Sequence, residues 1–290
     1  MFSKIMFHLL LIALLQLTIS AQVQDSSILP VKLWEIKDVY KAPESAAYDA
    51  KRNCIYVSNY TSGVGEGEFY GGHSIAKADV NGEVIELDWI KNITTPTGIC
   101  IYDDKLYIVE RFGVVEYDLE ADKISNKYLI KSPSFINDIT VGDDGSIYVS
   151  ESNSDVIHRI FNGKVEKWMQ GEKISKTNGV LYDNNYLIIG VNSDNYLKKI
   201  NIEDKTVENI AFLGEGIIDG IKKCGDGYLV SHYLGNLYFV SQSGEVTELI
   251  NTRSKEINIA DFEYVEDTGL LIIPALRNNM LMGYKYKCAD

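Results

Sequence analysis

One short pattern, written six times along the chain, limits what this sequence can fold into more than any other feature. Each copy opens on a polar residue, runs into a short apolar strand, turns through a Gly/Asp/Asn cluster and returns as a second apolar strand. The copies begin "ESAAYDAKRNCIYVSN" at Glu44, "TGICIYDDKLYIVE" at Thr97 and "NDITVGDDGSIYVSE" at Asn137. "NGVLYDNNYLIIGV" at Asn178, "DGIKKCGDGYLVSH" at Asp219 and "DFEYVEDTGLLIIP" at Asp261 complete the series. Their start-to-start spacings are 53, 40, 41, 41 and 42 residues. A second set of turns, at Gly82, Asp122, Gly163, Asp204 and Gly244, keeps the same step and separates two further strand-like runs in each repeat. No stretch sustains a 3.6-residue apolar period, so each repeat reads as four short strands. Four strands repeated at this interval predict an all-β, six-bladed β-propeller with one repeat per blade.

The two ends of the chain complement each other. The last repeat stops at Asp290, before a fourth strand can form, while "VKLWEIKDV" at residues 31–39 is a strand without a blade. The economical solution is that this N-terminal strand completes the last blade and closes the ring, which removes an exposed edge. Residues 31–290 are therefore expected to form a single propeller domain, preceded by a linker at 22–30. Ahead of the linker, Lys4 precedes "IMFHLLLIALLQLTI" and then Ser20 and Ala21. That is the form of a cleavable signal peptide, residues 1–21, and it is short of the roughly 20 apolar residues of a spanning helix. The expected location is periplasmic or secreted.

Composition removes several classes of partner. A formal net charge of −13 repels nucleic-acid phosphates and anionic headgroups, so neither nucleic acid nor membrane is expected, and no protein partner is implied. A small-molecule substrate remains. The four cysteines form no CxxC and no Cys/His pair at zinc-finger spacing. Alternation of strand direction puts Cys54, Cys224 and Cys288 at the same end of the ring. Blades six and one are neighbours, so Cys54–Cys288 is the expected disulfide, with Cys224 as the competing partner and Cys100 as a buried thiol.

In a propeller the first strand of every blade lines the central channel, so the strand starts form a ring. Here the ring reads Glu44, Thr97, Asn137, Asn178, Asp219 and a position at Ala260-Asp261. Four of these are carboxylate or carboxamide oxygen donors converging on one point, and such donors suit a hard divalent cation. One ion is expected there, Ca²⁺ first, with Mg²⁺, Mn²⁺ or Zn²⁺ as alternatives.

The set "PES" at 43–45, "ND" at 137–138, "NG" at 178–179 and "DG" at 219–220 is similar to the senescence marker protein (regucalcin)/gluconolactonase family of six-bladed propellers. The resemblance covers essentially the whole chain after the leader and rests on the order and register of these dipeptides. It implies that Glu44, Asn137, Asn178 and Asp219 are the metal ligands and that Asp219 is also the general base in hydrolysis of a lactone or ester. The departures from the family pattern are local. Phe135 stands where sugar-lactone hydrolases of the family carry an Arg, Lys176-Thr177 replaces a proline, and Ser45 replaces a glycine. A sugar contact is thus missing while the metal set is kept, which points to a less polar lactone, an ester, or no hydrolysis at all.

The loops joining second and third strands should open on the face of the metal. They bring Tyr60, Arg111 and His232 toward a substrate, with Thr97, Phe135 and Asp261 lining the same space. The first of these loops, residues 59–74, is enlarged and glycine-rich, as expected for a flap over the site. No GxSxG, GxGxxG or P-loop offers a rival chemistry. Two other readings stay open: a non-catalytic binding propeller with a structural cation, and a carbon–nitrogen lyase on the same fold.

Overall fold

The structure is a computed structural model that describes residues 29–60 and 73–288. The expected leader and most of the enlarged loop lie outside the described residues. Strand β1 (Val31–Lys37) is followed by six sets of strands. Blade one holds β2 (Pro43–Asp49), β3 (Cys54–Asn59), β4 (Ser74–Ala78) and β5 (Val84–Ile90). Blade two holds β6 (Ile99–Tyr102), β7 (Lys105–Glu110), β8 (Gly113–Asp118) and β9 (Lys123–Leu129). Blade three holds β10 (Ile136–Val141), β11 (Ile147–Glu151), β12 (Val156–Phe161) and β13 (Lys164–Gln170). Blade four holds β14 (Thr177–Asp183), β15 (Tyr186–Val191), β16 (Tyr196–Asn201) and β17 (Val207–Phe212). Blade five holds β18 (Ile218–Cys224), β19 (Gly227–His232), β20 (Asn236–Val240) and β21 (Val246–Asn251). Blade six holds β22 (Glu263–Val265), β23 (Leu270–Ala275) and β24 (Met280–Lys285).

Each set is a four-stranded antiparallel sheet, and the sixth has the order β1-β24-β23-β22. β1 runs beside β24 from Val31↔Lys285 to Lys37↔Met280, with one register shift between Lys32 and Trp34. At that shift the Trp34 indole lies on Gly283, where an added Cβ would come within 2.1 Å of the ring, and its far edge reaches Gly82 of blade one. The chain thus is an all-β, six-bladed propeller whose last blade takes its outermost strand from the N-terminal side.

The hairpins follow turn chemistry. Asp103-Asp104 and Asn184-Asn185 both have positive φ at two consecutive residues, the conformation that matches the twist of a two-residue hairpin. The later turns take the left-handed conformation at Gly82, Asp122, Gly163 and Gly244, and in blade four at Lys205, one place after Asp204. Successive side chains on a strand face opposite neighbours, so each blade buries both faces. The result is six apolar clusters, one for each interface between adjacent blades. Inner strands such as β2 are almost wholly buried, whereas the outer strand β9 is almost wholly exposed.

Parity along the strand also corrects the expected disulfide. Cys54 and Tyr56 of β3 face blade two, while Ile55 and Val57 face blade six. Cys54 therefore points away from Cys288 and is a buried free thiol. Cys288 bonds to Cys224, with Cα atoms 5.7 Å apart, inside the apolar cluster between blades five and six. Cys100 is free as expected, but half-buried rather than buried.

Candidate functional site

The strand starts are not regular β-structure. The inner hairpins lose register between Pro43 and Ala46, Ile136 and Ile139, Thr177 and Val180, and Ile218 and Ile221. The residues inside these bulges are Glu44-Ser45, Asn137-Asp138, Asn178-Gly179 and Asp219-Gly220. A bulge frees a residue from the ladder and re-aims its side chain, and bulges concentrate at sites for that reason. The first residue of each pair belongs to the ring, and Glu44, Thr97, Asn137, Asn178 and Asp219 are all buried. In blade six the equivalent residue is Ala260. Its N–H donates to Pro274 O as that of Thr97 donates to Val109 O.

The second residue of each pair ties blade to blade. Asp138 accepts from the Val180 N–H of blade four at 2.8 Å. Ser45 donates to Asp261 and accepts from the Ile99 N–H of blade two. Where the second residue is glycine, the strands come closer than a side chain permits. A Cβ on Gly179 would lie 1.8 Å from the Asp219 carbonyl oxygen, and one on Gly220 would lie 2.4 Å from Asp261 Oδ1. Asp261, expected to line the substrate space, therefore sits one residue past the ring and is committed to structure.

Three serines that sequence reasoning missed hold the bulges open. Ser58, Ser150 and Ser231, on the second strands, accept from the freed N–H groups of Ser45, Asp138 and Gly220 at 2.9, 3.0 and 2.7 Å. The signal was available in the repeated "VSN", "VSE" and "VSH" of the second strands. Glu110 and Glu151 were missed as well. Their carboxylates accept from Thr94 N and Ser134 N at 3.1 and 2.7 Å, and so fix the loops that lead into the ring. Glu151 also meets the buried His158 Nε2 at 2.6 Å.

The carboxylates of the channel divide into two groups. In the lower tier, Asp138 and Asp261 accept backbone N–H groups, and Lys222 stands 3.8 Å from Asp261. Burial alone would lower the Lys222 pKa, but Asp261, Glu263 and Asp138 raise it, so this amine is the resident cation of the tier. Glu44 and Asp219, in the ring above, have no Lys or Arg ion-pair partner among the described residues. Burial first, then Asp219, Asp261 and Asp138, push the Glu44 carboxyl well above the usual carboxylate range. Burial, then Asp261 and Asp138, do the same to Asp219, and a hydrogen bond from Asn178 opposes them. Glu44 Oε2, Asn178 Oδ1 and Thr97 Oγ1 are buried without a hydrogen-bond partner among the described residues. Among the described residues no three His, Cys, Asp or Glu side chains form a metal group, so any ion here is held by carboxylates and carboxamides together.

A cavity of about 260 Å³ opens beside the ring, lined by Tyr60, Thr95, Thr97, Arg111, Ser134 and Phe135. The structure thus joins four of the six expected substrate residues, Tyr60, Thr97, Arg111 and Phe135, in one space. A backbone device sets the rim. Tyr60, Arg111 and Tyr233 donate their N–H groups to Ala42, Thr94 and Ile217 just ahead of the inner strands. His232 does not join them. It is fully buried beneath Gly216, where a Cβ would meet its ring at 1.7 Å, and Arg253 approaches its Nδ1 at 3.4 Å.

No family model matches the sequence, and no curated protein matches it significantly. Solved structures do. A gluconolactonase from Xanthomonas campestris superposes with a TM-score of 0.70 at 12% identity, over 89% of this chain and 94% of its own. A protein described as a putative gluconolactonase gives 0.69 at 12% identity, over 93% and 98%. Virginiamycin B lyase from Staphylococcus aureus gives 0.64 at 16% identity, over 88% and 99%. This chain has their fold. At such identities the likeness extends to the propeller itself, the same architecture that the gluconolactonase resemblance implied, and the chemistry rests on the residues of the channel.

Proposed function

We propose that the protein is a metal-dependent hydrolase of a lactone or ester, with one divalent ion, Ca²⁺ in first place, held by Glu44, Asn137, Asn178 and Asp219. The observation that carries this reading is the buried pair Glu44 and Asp219, without a basic side chain beside them among the described residues, next to the oxygens Glu44 Oε2 and Asn178 Oδ1 that find no hydrogen-bond partner there. Buried charge without a partner costs several kcal/mol, and unpaired polar oxygens add to that, so the donor set fits a hard cation. An ion bound there supplies Lewis acidity toward an acyl oxygen and favours the ionised form of its ligands.

The chain's own residues divide the remaining work. Asp219 is the ring carboxylate fixed by the close approach of Gly179 and by the Ser231-held bulge, and it takes a proton from the attacking water. Glu44 and the two carboxamides orient the site without themselves moving a proton. Tyr60, Thr97, Arg111 and Phe135 hold the acyl group in the adjoining cavity and exclude bulk water. Two structural neighbours described as gluconolactonase or putative gluconolactonase add support by analogy. Phe135 favours a second reading, a non-catalytic binding propeller with a structural cation, because it offers a sugar no hydrogen bond.

A panel of lactones and aryl esters, assayed with and without chelator, tests the proposal. Turnover should disappear on chelation, return with Ca²⁺, and be absent from Asp219→Asn. Turnover that survives chelation, or none across the panel, contradicts it.

A further inference from the structure

Two arginines at the rim are unusual for this chain. It carries 41 acidic against 28 basic residues, and only five of the basic ones are arginines. Arg52 pairs with Asp49 and Asp104, and Arg159 pairs with Glu166. Arg253 is held by Asn236 and His232. Arg111 and Arg277 form no ion pair with any carboxylate among the described residues, although acids outnumber bases. Both are exposed, and both lie on aromatic rings, Arg111 at 5.4 Å from Phe112 and Arg277 at 5.1 Å from Tyr233. A guanidinium held against an aromatic ring can still offer N–H donors to an anion.

Their position is what gives this meaning. Arg111 lines the cavity beside the ring, next to Tyr60, Thr97 and Phe135. Tyr60 lies within electrostatic reach of both Glu44 and Arg111, and Tyr233 within reach of Arg277, Asp219 and Glu44. The two guanidinium groups therefore stand on blades two and six, one on each side of blade one, and both bear on the same site. Among the described residues neither charge meets a carboxylate: Arg277 approaches the Tyr233 side chain, and Arg111 lies by Phe112 and Tyr60. A free guanidinium at a cavity wall suits a planar anion such as a carboxylate, which it can bind through two N–H donors.

Resting on the hydrolase reading above, we infer that the substrate is a small lactone or ester that itself bears an anionic group, a carboxylate first, seated against Arg111, so the ligand is poorer in hydroxyls than a sugar lactone but charged at one end. Arg277, on the far side of blade one, reinforces the positive field that draws it in. The acyl group then lies toward the ring and the anion toward the rim, with Phe135 covering the apolar atoms between them. The size of the cavity, about 260 Å³, fits a single ring or a short chain and not a polymer.

The experiment separates recognition from hydrolysis. 5-Oxoproline, a lactam that carries a carboxylate, and its neutral carboxamide are titrated into the full chain with Ca²⁺ present. In parallel, the corresponding lactone carboxylate and lactone carboxamide are offered as substrates. The carboxylate lactam should bind roughly tenfold or more tightly than the amide, the scale of a charge-assisted bidentate contact. Arg111→Gln should collapse that ratio toward one, Arg111→Lys should restore part of it, and Arg159→Gln, on β12 and paired with Glu166, should leave it intact. Equal binding of acid and amide, no binding of either, or a preference that persists in Arg111→Gln overturns the inference, whatever the hydrolytic result. Binding preference without turnover of either lactone sustains anion recognition at Arg111 and removes the hydrolase reading.

Discussion

Replacing His232 by glutamine gives a prediction whose size follows from its surroundings. The imidazole is fully buried at the end of β19, and Arg253 faces its Nδ1. Burial, and then Arg253, hold the ring neutral and lower its pKa from 6.5 to about 4. In the unfolded chain the ring titrates near 6.5, so between these values the unfolded state binds the extra proton. Stability therefore rises with pH across the window. The His232 contribution is fully present above about pH 6.5 and is lost as pH falls toward 4, and the gap is worth about 3 kcal/mol. The ring carboxylates act in the opposite sense. Glu44 and Asp219 have raised folded pKa values, so in metal-free protein their contribution is present at low pH and is lost as pH rises. Only the difference between wild type and variant isolates the histidine. Urea unfolding at a series of pH values should show wild-type stability gaining on His232→Gln by about 3 kcal/mol from pH 4 to pH 6.5. A difference that stays constant over that window, or an NMR titration of His232 near its ordinary value, refutes the reasoning.

Three further outcomes are expected. Gly179→Ala must push β14 away from the Asp219 carbonyl, so it should cost roughly 1–3 kcal/mol in thermal unfolding and weaken Ca²⁺ binding with it. Ser231→Ala leaves the Gly220 N–H buried without an acceptor, which should cost about 1–3 kcal/mol and shift Asp219, read as reduced ion affinity in titration. Non-reducing peptide mapping should recover Cys224 bonded to Cys288, and Cys224→Ala/Cys288→Ala should unfold with roughly 2–5 kcal/mol less stability. Recovery of Cys54 in a disulfide contradicts that pairing.

The blades were legible because turn chemistry is local: Asp103-Asp104 and Asn184-Asn185 demand positive φ wherever they occur. The channel ring was legible because polar strand starts repeat at the blade period, and Glu44, Thr97, Asn137, Asn178 and Asp219 all proved to be buried at equivalent places. In blade six the register failed by one residue. "AD" reads the same either way until Ser45 and Lys222 are seen to claim Asp261. The disulfide failed for a similar reason. Strand direction decides which end of the ring a cysteine occupies, but parity along β3 decides which neighbour it faces, and that parity emerges only from packing. His232 read as a rim residue because it follows β19's apolar run, whereas the glycine at 216 lets the chain fold over it. Ser58, Ser150 and Ser231 were visible as a repeat, but their role depends on bulges that no pattern of apolar residues marks.

The central claim is that the upper ring of the channel binds a divalent cation through Glu44, Asn137, Asn178 and Asp219. Calorimetric titration of chelator-stripped full-length protein with Ca²⁺ tests it most directly. The account predicts one binding event per chain, weakened strongly by Asp219→Ala and less by Asn178→Ala, which removes a neutral donor. The bound form should also be more stable, by about 2.7 kcal/mol at a free ion concentration a hundred times the Kd. Absence of any binding heat or stabilisation with Ca²⁺, Mg²⁺, Mn²⁺ and Zn²⁺ alike, or binding that survives both substitutions unchanged, contradicts it.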